Sequence, residues 1–469
     1  MLAARGADVL GRTKRIHFVG IGGAGMSGIA EVLANLGYVV SGSDEKPSAV
    51  TKRLAGMGAT VFGGHAAAQI GDADVVVISS AVRPGNPEVV EARRRHIPVI
   101  PRAEMLAELM RLRYSVAVAG AHGKTTTTSM IALTLERAGL DPTAVIGGRL
   151  SAFGGPARLG RSELMVAEAD ESDRSFLKLF PTIAVMTNVD REHLETYGTL
   201  ADVQQAFAEF AGKVPFYGAV VACADDAGLE PVLPSVERRL ITYGIERASD
   251  IRGVNVMLEP FASRCEVQRR APSGATEPLG MLRLQVPGQH NVLNALAAVA
   301  VALELNVPFA QAVEGLAAFR GVERRFERRG ERAGVLVIDD YGHHPAEISA
   351  VLAAAANLGR RTLVVFQPHR YSRTAQLLDE FGPALAAADE IVLTDIYAAG
   401  EDAMPGVTID ALADSVRRVV AVPVTVVPQL ADVPAAVAER ARPGDLVITL
   451  GAGSIAGMVD RILDALGEA

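Results

Sequence analysis

The stretch SVAVAGAHGKTTTT, residues 115–128, decides the fold in the middle of this 469-residue chain. An apolar strand runs into a glycine turn, a Gly-Lys-Thr triplet follows, and a helix begins at the turn. Such a turn leaves backbone N–H groups unpaired at a helix N-terminus, and the lysine adds a mobile positive charge, so the segment predicts a nucleoside-triphosphate site. The standard phosphate loop requires a glycine at position 118, where this chain has Val118. The shorter spacing, from Gly120 to Lys124, indicates a particular subset of nucleotide enzymes.

Composition and charge exclude several classes of protein. The chain is 49% apolar and 21% charged, which together with its length favours two or three domains. A formal net charge of −8 argues against nucleic acid as a partner, because a phosphate backbone needs a basic face. The N-terminal segment lacks the apolar core of a signal peptide, and no run approaches the ~18 apolar residues of a membrane helix. The two cysteines show no disulfide or metal spacing, so we expect a cytoplasmic protein without membrane insertion.

Alternating apolar runs and amphipathic helices recur three times, which predicts an α/β protein of three domains with parallel, doubly wound sheets. We predict an N-terminal Rossmann-like domain over residues 1–106 and a central P-loop ATPase-like α/β domain over residues 107–322. A C-terminal Rossmann-like α/β domain follows over residues 323–469. Within the central domain we expect a polar loop between strands at 269–279 and a long helix at 291–305.

A second glycine-rich turn, GIGGAGMSG at residues 20–28, follows a strand and opens a helix. Asp44 ends the next strand about 20 residues further on, as in a dinucleotide-binding fold. Three interpretations fit: a tight turn that needs glycine for packing, an NAD or FAD site, or a site for another nucleotide diphosphate. The third is possible because glycine N–H groups accept any pyrophosphate. The phosphate loop downstream favours this third interpretation.

The phosphate loop itself assigns chemistry to its polar residues. Lys124 would neutralise the β- and γ-phosphates, and Thr125 would place its hydroxyl on Mg²⁺. For His122, a structural role that bonds the loop backbone and a catalytic role carry equal weight.

Carboxylates suited to Mg²⁺ follow the apolar strand in LMVAEADESD. They are Glu168, Asp170, Glu171 and Asp173. Alternation along a strand puts Glu168 and Asp170 on one face, and we favour a metal site, with Glu168 as first candidate, over a solvated acidic loop. The next apolar strand ends in a similar cluster of Asn188, Asp190 and His193. Neutral His193 would ligate a second ion, although a lone histidine is more often structural.

Two asparagines, Asn291 and Asn294, stand three residues apart at a helix start and share a face. One interpretation is a helix cap. The other is an amide contact with an adenine or ribose edge.

Two polar clusters follow apolar strands of the third domain: DDYGHHP at 339–345 and QPHRYSR at 367–373. In parallel sheets, the carboxyl ends of the strands form the binding crevice. Arg370 and Arg373 share a helical face if the chain turns there, and paired guanidinium groups suit a carboxylate or phosphoryl group. A basic surface turn is the weaker alternative, given the neighbouring His369.

In order and spacing these motifs resemble the Mur ligase family of bacterial cell-wall synthesis, over nearly the whole chain. The resemblance rests on GIGGAGMSGIAEVL, SGSD, ISSAV, NPE, AGAHGKTTTT, EADESD, TNVDREHLETYG, HNVLNALAA, ERRFE, DDYGHHP, FQPHRYSRT and GAGS. Several are weak singly, but together they are highly specific. The resemblance implies that the first domain binds a UDP-sugar, the second ATP with Mg²⁺, and the third an amino acid.

Carried over motif by motif, the resemblance implies roles for individual residues of this chain. The UDP-sugar would be held by Gly22, Gly23, Ala24, Gly25, Met26, Ser27, Asp44, His65, Ser79 and Ser80. ATP would be held by Gly120, Ala121, His122, Gly123, Lys124, Thr125, Thr126, Asn291, Asn294, Arg325 and Asp340. The metal ligands would be Thr125, Glu168 and His193, and the amino acid would be bordered by Tyr341, His343, His369, Arg370 and Arg373. Catalysis would fall to Lys124, His193, Glu168 and His343, with His343 or a carboxylate as the base.

The activity that the resemblance implies is ligation of L-alanine to the lactyl carboxylate of UDP-N-acetylmuramate through an acyl phosphate, with ADP and phosphate released. The alternatives are a ligase that joins a tripeptide to the same UDP-sugar, a nicotinamide-dependent oxidoreductase, and a catalytically silent scaffold. We expect a monomer or weak homodimer. The chain departs from the family at Ala121, where threonine is usual, and at Glu192, where aspartate is usual.

Overall fold

The computed structural model describes residues 10–79, 81–111, 113–150, 153 and 155–468. They form two compact units. The first runs from the start of the described chain to Val256 and includes Arg264–Leu284 and Asn291–Arg320. The second holds Met257–Ser263, Gln285–His290 and the chain from Gly321 onward. The first unit contains the N-terminal sheet and nearly all of the middle sheet, and the second contains the C-terminal sheet.

The N-terminal sheet has five strands in a doubly wound arrangement. They are β1 (Arg15–Val19), β2 (Val39–Asp44), β3 (Thr60–Gly63), β4 (Val75–Ile78) and β5 (Val99–Pro101). Its helices are α1 (Ala24–Asn35), α2 (Ala49–Gly56), α3 (Pro87–Arg94) and α4 (Arg102–Arg111). The strand order is β3-β2-β1-β4-β5, and all neighbours are parallel. Because the order reverses between β1 and β4, a crevice is expected at their carboxyl ends.

The middle sheet is larger and carries the phosphate loop. Its strands are β6 (Tyr114–Ala119), β7 (Thr143–Leu150), β8 (Gly155–Arg158), β9 (Leu164–Glu168), β10 (Ile183–Met186), β11 (Ala219–Cys223), β12 (Leu240–Gly244), β13 (Ile251–Glu259), β14 (Ala262–Arg270) and β15 (Thr276–Leu284). Its helices are α5 (Lys124–Arg137), α6 (Leu194–Tyr197), α7 (Leu200–Gly212), α8 (Gln289–Glu304) and α9 (Phe309–Ala317). The order is β15-β14-β13-β12-β11-β10-β6-β9-β7-β8. Since β6 pairs in parallel with both β9 and β10, three carboxyl ends meet at the phosphate loop.

A loop between two strands is confirmed in this region but is shorter than the predicted 269–279, and the long helix predicted at 291–305 is confirmed by α8. Strand β14 continues to Arg270 and β15 begins at Thr276, which leaves a connection of residues 271–275. Strand β15 lies at the end of the sheet, and residues 276–278 are exposed. A strand at such an edge keeps its backbone pairing while its side chains face water, so polar residues there do not indicate a loop.

The C-terminal sheet has six strands. They are β16 (Glu327–Arg332), β17 (Val335–Asp340), β18 (Thr362–Phe366), β19 (Glu390–Leu393), β20 (Val424–Val426) and β21 (Leu446–Leu450). Its helices are α10 (Pro345–Ala356), α11 (Tyr371–Gln376), α12 (Phe381–Leu385), α13 (Ile409–Arg417), α14 (Val433–Ala438) and α15 (Val459–Glu468). The order is β16-β17-β21-β18-β19-β20, with β16 antiparallel and the others parallel. Two separate hydrophobic cores, one around Phe366 and Phe381 and one around Val447 and Ile462, belong to this sheet.

These sheets confirm the predicted α/β class, with Rossmann-like domains before and after a central domain built on a phosphate loop. Among the described residues, no helix has both the length and the apolar character that crossing a bilayer requires.

A buried aromatic cluster packs helix α7 against the segment that follows β9 and provides a stability test. The Phe176 ring is fully buried, with its centroid 5.3 Å from that of Phe207 and 5.0 Å from that of Phe210. We expect Phe176→Ala to lower the free energy of unfolding by about 3–5 kcal/mol, because it leaves a cavity between these rings. Chemical denaturation measures this. Phe216→Ala is the matched control, since Phe216 is 90% exposed, and an equal loss in both variants would contradict the assignment.

Candidate active site

Two glycines give the phosphate loop its shape. Gly120 has φ +148° and Gly123 has φ +79°, and α5 begins immediately after Gly123. A Cβ atom at Gly120 would lie 1.9 Å from the Thr187 hydroxyl, and one at Gly123 would lie 2.8 Å from Asn294 Oδ1. Neither position therefore accepts a side chain without rearrangement, and the loop backbone remains close to its neighbours.

The segment after β10 clamps this loop. The His122 amide donates to Asn188 Oδ1 at 2.7 Å. In return, Thr187 Oγ1 and Asn188 Nδ2 donate to the His122 carbonyl at 2.7 and 3.0 Å. The His122 ring pairs with Asp190, with Nε2 3.0 Å from Oδ2. The Asp190 carboxylate therefore orients this ring. Of the predicted cluster of Asn188, Asp190 and His193, the first two thus lie against the loop and hold it in place.

The Lys124 side chain folds back over the phosphate loop, which precedes it in the chain. Its ammonium donates to the carbonyls of Gly120 and Ala121 at 2.6 and 3.1 Å and to Glu171 Oε1 at 2.8 Å. Burial alone would lower the pKa of Lys124, but the carboxylates of Glu171 and Glu168 outweigh burial and raise it. The lysine is therefore a permanent positive charge at the position where the loop would hold phosphate groups.

The phosphate loop has alanine at position 121, where the resemblance leads us to expect threonine, and this change does not affect the hydrogen bonds of the loop backbone. The Ala121 amide donates to the Asn188 carbonyl at 3.3 Å, and the Ala121 carbonyl accepts from Lys124. Both bonds use the backbone, which is independent of the side chain at this position.

Glu192, where the resemblance leads us to expect aspartate, lies in a cluster of possible metal ligands with Glu171 and His193. One ligand atom from each of these three side chains lies within 4.8 Å of the other two. In the described part of the chain, Glu171 Oε2 is buried without a hydrogen-bond partner, and burial raises the pKa of this carboxyl. His193 has φ +56° and precedes α6, which directs its ring toward the carboxylates. Hard oxygen ligands beside an imidazole suit a divalent cation.

The predicted pairing of Glu168 and Asp170 on one face differs from the structure. Strand β9 ends at Glu168, so strand alternation no longer applies beyond it. Glu168 Oε2 accepts from the Gly147 amide at 2.8 Å, whereas Asp170 pairs with Arg102 at 2.9 Å. Glu171, which our site assignment left out, is the carboxylate that contacts Lys124. The sequence signal that could have identified Glu171 is its position in the acidic run EADESD, residues 168–173.

Polar side chains of α5 and α8 meet behind the loop. Thr125 and Thr126 are buried in the first turn of α5, and Thr127 Oγ1 donates to Asn294 Oδ1 at 3.0 Å. Asn294 Nδ2 donates to Asn291 Oδ1 at 3.4 Å. Because α8 begins at Gln289, Asn291 lies within the helix and does not cap it.

The N-terminal glycine turn is held by the end of β2. The amides of Gly20 and Ile21 donate to the Ser43 carbonyl at 2.8 and 2.9 Å, and the Gly22 amide donates to Asp44 Oδ2 at 2.8 Å. Asp44 thus fixes the turn itself.

The other predicted residues of this region lie nearby. Gly23 precedes α1, Ala24 begins it, and Met26 and Ser27 are buried within it. A Cβ atom at Gly25 would lie 2.7 Å from Arg102 Nη1, so this guanidinium covers the helix start. Ser79 follows β4, and the neighbouring Ser80 lies outside the described residues. His65 follows β3 and bonds to Ser43 and Glu88.

In the second unit, Asp340 ends β17 and is fully enclosed. It accepts hydrogen bonds from the amides of Phe326 and Gly342, both at 2.6 Å. Burial raises the pKa of Asp340 to about 6 despite the nearby Arg325 guanidinium. Arg325 lies 5.0 Å from the centroid of the Tyr341 ring and pairs with Glu347 at 3.3 Å. These predicted residues are therefore brought together.

His343 and His369 also meet in this unit, with ring centroids 5.4 Å apart. Arg373 Nη1 donates to His369 Nδ1 at 3.2 Å, and Arg370 immediately precedes α11. Burial, reinforced by His343 and the two arginines, lowers the pKa of His369 to about 3. His343 Nδ1 lies 3.4 Å from a Glu347 carboxylate oxygen.

Two residues of this cluster were missed. The Tyr397 ring stacks on His369 with centroids 5.5 Å apart, and Glu401 accepts from the Ser372 hydroxyl at 2.6 Å. Both lie in the segment after β19, where no sequence motif marks them.

The fold and the phosphate loop define a nucleoside-triphosphate-binding α/β protein, and comparisons with known proteins narrow this class. Three family models match: "Mur ligase family, catalytic domain" at residues 15–114, "Mur ligase middle domain" at 118–302, and "Mur ligase, glutamate ligase domain" at 324–453. The chain belongs to the Mur ligase family.

Individual relatives agree with this assignment. The UDP-N-acetylmuramate–L-alanine ligase of Myxococcus xanthus is 55% identical, over 96% of this chain and 95% of its own. The enzyme of the same name from an Anaeromyxobacter species is 54% identical over 97% and 98%. Among solved structures, UDP-N-acetylmuramate–alanine ligase from Thermotoga maritima aligns with TM-score 0.81 and 30% identity, over 97% of this chain and 99% of that one. A murein peptide ligase from Psychrobacter arcticus aligns with TM-score 0.72 and 26% identity over the same shares.

The buried His369 provides a test of the electrostatics of the second unit. Because its pKa lies below the ordinary value of 6.5, the folded protein keeps this ring neutral. Neutral His369 contributes stability that is present above about pH 6.5 and is lost as the pH falls toward 3. Nuclear magnetic resonance of labelled histidines should show no titration of His369 between about pH 5 and 8. In denaturant the same ring should titrate normally, and a midpoint near neutrality in the folded protein would contradict the prediction.

Proposed function

We propose that this protein is an ATP-dependent ligase that joins L-alanine to the lactyl carboxylate of UDP-N-acetylmuramate in peptidoglycan precursor synthesis. The observation that carries this proposal is the 55% identity, over 96% of the chain, to the M. xanthus ligase of that name. The preorganised loop around Lys124 supports it, because this activity requires activation of a carboxylate by ATP.

The reaction proceeds in two steps that conserve atoms and charge. A lactyl carboxylate oxygen attacks the γ-phosphorus of ATP, and the bond between this phosphorus and the bridging oxygen of the β-phosphate breaks. The products are an acyl phosphate and ADP, which keeps the bridging oxygen. The amine of L-alanine then attacks the acyl carbon, inorganic phosphate leaves, and a base removes the amine proton. Lys124 is a charged donor at the phosphate loop, and such a group stabilises the charge that moves between phosphate oxygens.

Mg²⁺ fits the donor set of the middle domain. We assign Thr125, Glu168 and His193 to hold it, and Glu171 and Glu192 add two buried carboxylates around His193. Among the described residues, Glu171 Oε2 is buried and has no hydrogen-bond partner, and a bound cation would supply one. A bound Mg²⁺ would neutralise charge on the phosphate groups.

The remaining substrate contacts follow the sites described above. The glycine turn at 22–27, Asp44, His65 and the Ser79-Ser80 segment would bind the UDP moiety. Further ATP contacts would come from Asn291, Asn294, Arg325 and Asp340.

L-Alanine would be bordered by Tyr341, His369, Arg370 and Arg373. The neutral His369 accepts from Arg373 and leaves the arginine positively charged for the amino-acid carboxylate. We assign His343 as the base, because the Tyr341 carbonyl at 3.1 Å and the Glu347 carboxylate at 3.4 Å both face its Nδ1 and orient the imidazole.

The alternatives explain less. The murein peptide ligase structure is 26% identical with TM-score 0.72, against 30% and 0.81 for the T. maritima ligase, so a tripeptide substrate is not favoured. A nicotinamide-dependent oxidoreductase leaves the phosphate loop unexplained. A silent scaffold is at odds with the retained Lys124, Thr125, Glu168 and His193. We further propose that the protein acts in the cytoplasm as a monomer or weak homodimer.

A phosphate-release assay tests the substrate assignment. With ATP, Mg²⁺ and UDP-N-acetylmuramate present, we expect turnover with L-alanine and much less with D-glutamate or the tripeptide. Glycine and L-serine complete the panel. Turnover that requires D-glutamate, or only the tripeptide, would overturn the assignment.

Lys124→Ala tests the phosphate loop. We expect ADP formation to fall by at least about 10²–10³-fold, because the variant loses the charged donor at the transferring phosphate. Circular dichroism should show a folded protein. The matched control is Lys213→Ala, which removes a lysine paired with Glu209 on the surface of the same domain. Undiminished turnover in Lys124→Ala would rule out the assignment.

A further inference from the structure

A hydrogen-bonded cluster lies beneath the N-terminal glycine turn, and three of its four residues have no role in the function above. His17, Ser43 and Glu88 are fully buried, whereas the His65 side chain is 21% exposed. Burying an ionised carboxylate costs several kcal/mol unless it is well compensated. Such a cluster at a binding crevice therefore calls for a functional explanation.

Four different elements bring these residues together. His17 lies on β1 and Ser43 on β2, while His65 follows β3. Glu88 lies in the first turn of α3, where Asn86 Oδ1 accepts from the Glu88 amide at 2.9 Å. The positive end of the helix favours a carboxylate at this position. The cluster thus connects β1 and β2 with the segment after β3 and the first turn of α3.

Every donor in the cluster converges on the Glu88 carboxylate. His17 Nε2 lies 2.8 Å from Glu88 Oε2, and the Ser43 hydroxyl donates to the same oxygen at 2.7 Å. His65 Nδ1 lies 3.1 Å from Glu88 Oε1. Burial would raise the pKa of Glu88, but the hydrogen bonds from His17 and Ser43 outweigh it and the pKa is lowered. Glu88 is therefore ionised and accepts from all three.

This arrangement decides the protonation of the His65 ring. A carboxylate only accepts, so Nδ1 must carry the proton that faces Glu88. The Ser43 oxygen, 2.9 Å from the same nitrogen, gives its own proton to Glu88 and also acts as an acceptor. Among the described residues His65 Nε2 has no hydrogen-bond partner, and the ring is partly exposed. Nε2 is the ring atom left for a ligand.

The same serine is also bonded to the turn. The Ser43 carbonyl accepts the amides of Gly20 and Ile21, while its side chain contacts Glu88 and His65. Ser43 thus contacts both the His65 ring and the backbone of the glycine turn. The ring and the turn form one preorganised surface.

We propose that Glu88 is a positioning residue for the nucleotide-sugar: by holding Nδ1–H of His65, it presents Nε2 of that ring to the ligand beside the glycine turn. This inference rests on the proposed function, because it takes the UDP-sugar as the ligand of this crevice. Glu88 does not touch the ligand. It acts through His65, as a carboxylate does when it sets the tautomer of a catalytic or metal-binding histidine.

Steady-state kinetics of Glu88→Gln test the proposal. The amide keeps the size of the side chain, but its NH₂ group is able to donate to Nδ1 and so permits the wrong tautomer. Nε2 of this tautomer only accepts, so its partner is an N–H or O–H group of the sugar nucleotide. We expect KM for UDP-N-acetylmuramate to rise by about 3- to 10-fold, as for the loss of one hydrogen bond between neutral groups. KM for ATP and kcat should remain unchanged, because the lost interaction contributes to binding of the sugar nucleotide alone. Glu91→Gln, which removes a carboxylate paired with Arg94 further along the same helix, is the matched control.

A double-mutant cycle separates positioning from simple stabilisation. If Glu88 acts through His65, then Glu88→Gln in a His65→Ala background should raise KM no further. A further rise by the same factor, or an unchanged KM in the single variant, would overturn the proposal.

The wild-type protein supplies a measurement that does not depend on the folding of any variant. Nitrogen-15 shifts of the His65 ring, assigned by comparison with His65→Gln, should show Nδ1 protonated. A ring protonated only at Nε2 would refute the inference. Absence of L-alanine-dependent turnover in the wild type would instead refute the proposed function, so the two failures are distinguishable.

Discussion

The contact between the Lys124 ammonium and the Glu171 carboxylate is the interaction around which the middle domain is arranged. The lysine must be charged to serve phosphate groups, yet it lies in a buried loop where burial opposes that charge. A carboxylate from the segment after β9 supplies the compensation, and two loop carbonyls complete the ammonium's hydrogen bonds. Strands β6, β9 and β10 run parallel side by side, which is why the loop, the acidic segment and the clamping asparagine arrive at one edge.

Much of this architecture was predictable from sequence because it depends on local patterns. The glycine spacing around Lys124 and the alternation of strands and helices identified the α/β class, and the start of α8 was placed within two residues. The errors arose where tertiary context overrides a local rule. Strand alternation was extended past Glu168, where β9 ends, so Glu171 was passed over as a partner of Lys124. The polar residues of β15 suggested a loop because solvent exposure at a sheet edge is invisible in one segment.

Long-range partners were out of reach for a different reason. Glu88 reaches His17 and His65 only because the strand order places β1, β2 and β3 beside one another, and Tyr397 meets His369 through the segment after β19. Glu88 belongs to the NPE motif, but neither this motif nor any periodicity indicates which side chains Glu88 contacts. Both cases concern side chains that contact a predicted site residue from a separate element, and such a pairing cannot be read from either segment alone.

Arg102 places a positive charge beside the positive end of helix α1, over Gly25, which is electrostatically unfavourable in isolation. Its ion pair with Asp170 offsets this cost, and Asp170 belongs to the acidic segment next to Glu171. The domains built on the two sheets of the first unit are therefore joined by this ion pair as well as by the packing of α1 against β7 and β8. Separation of the two sheets would leave the Arg102 guanidinium beside a helix terminus without its carboxylate partner. This ion pair therefore links the position of the N-terminal glycine turn to that of the acidic segment beside the phosphate loop.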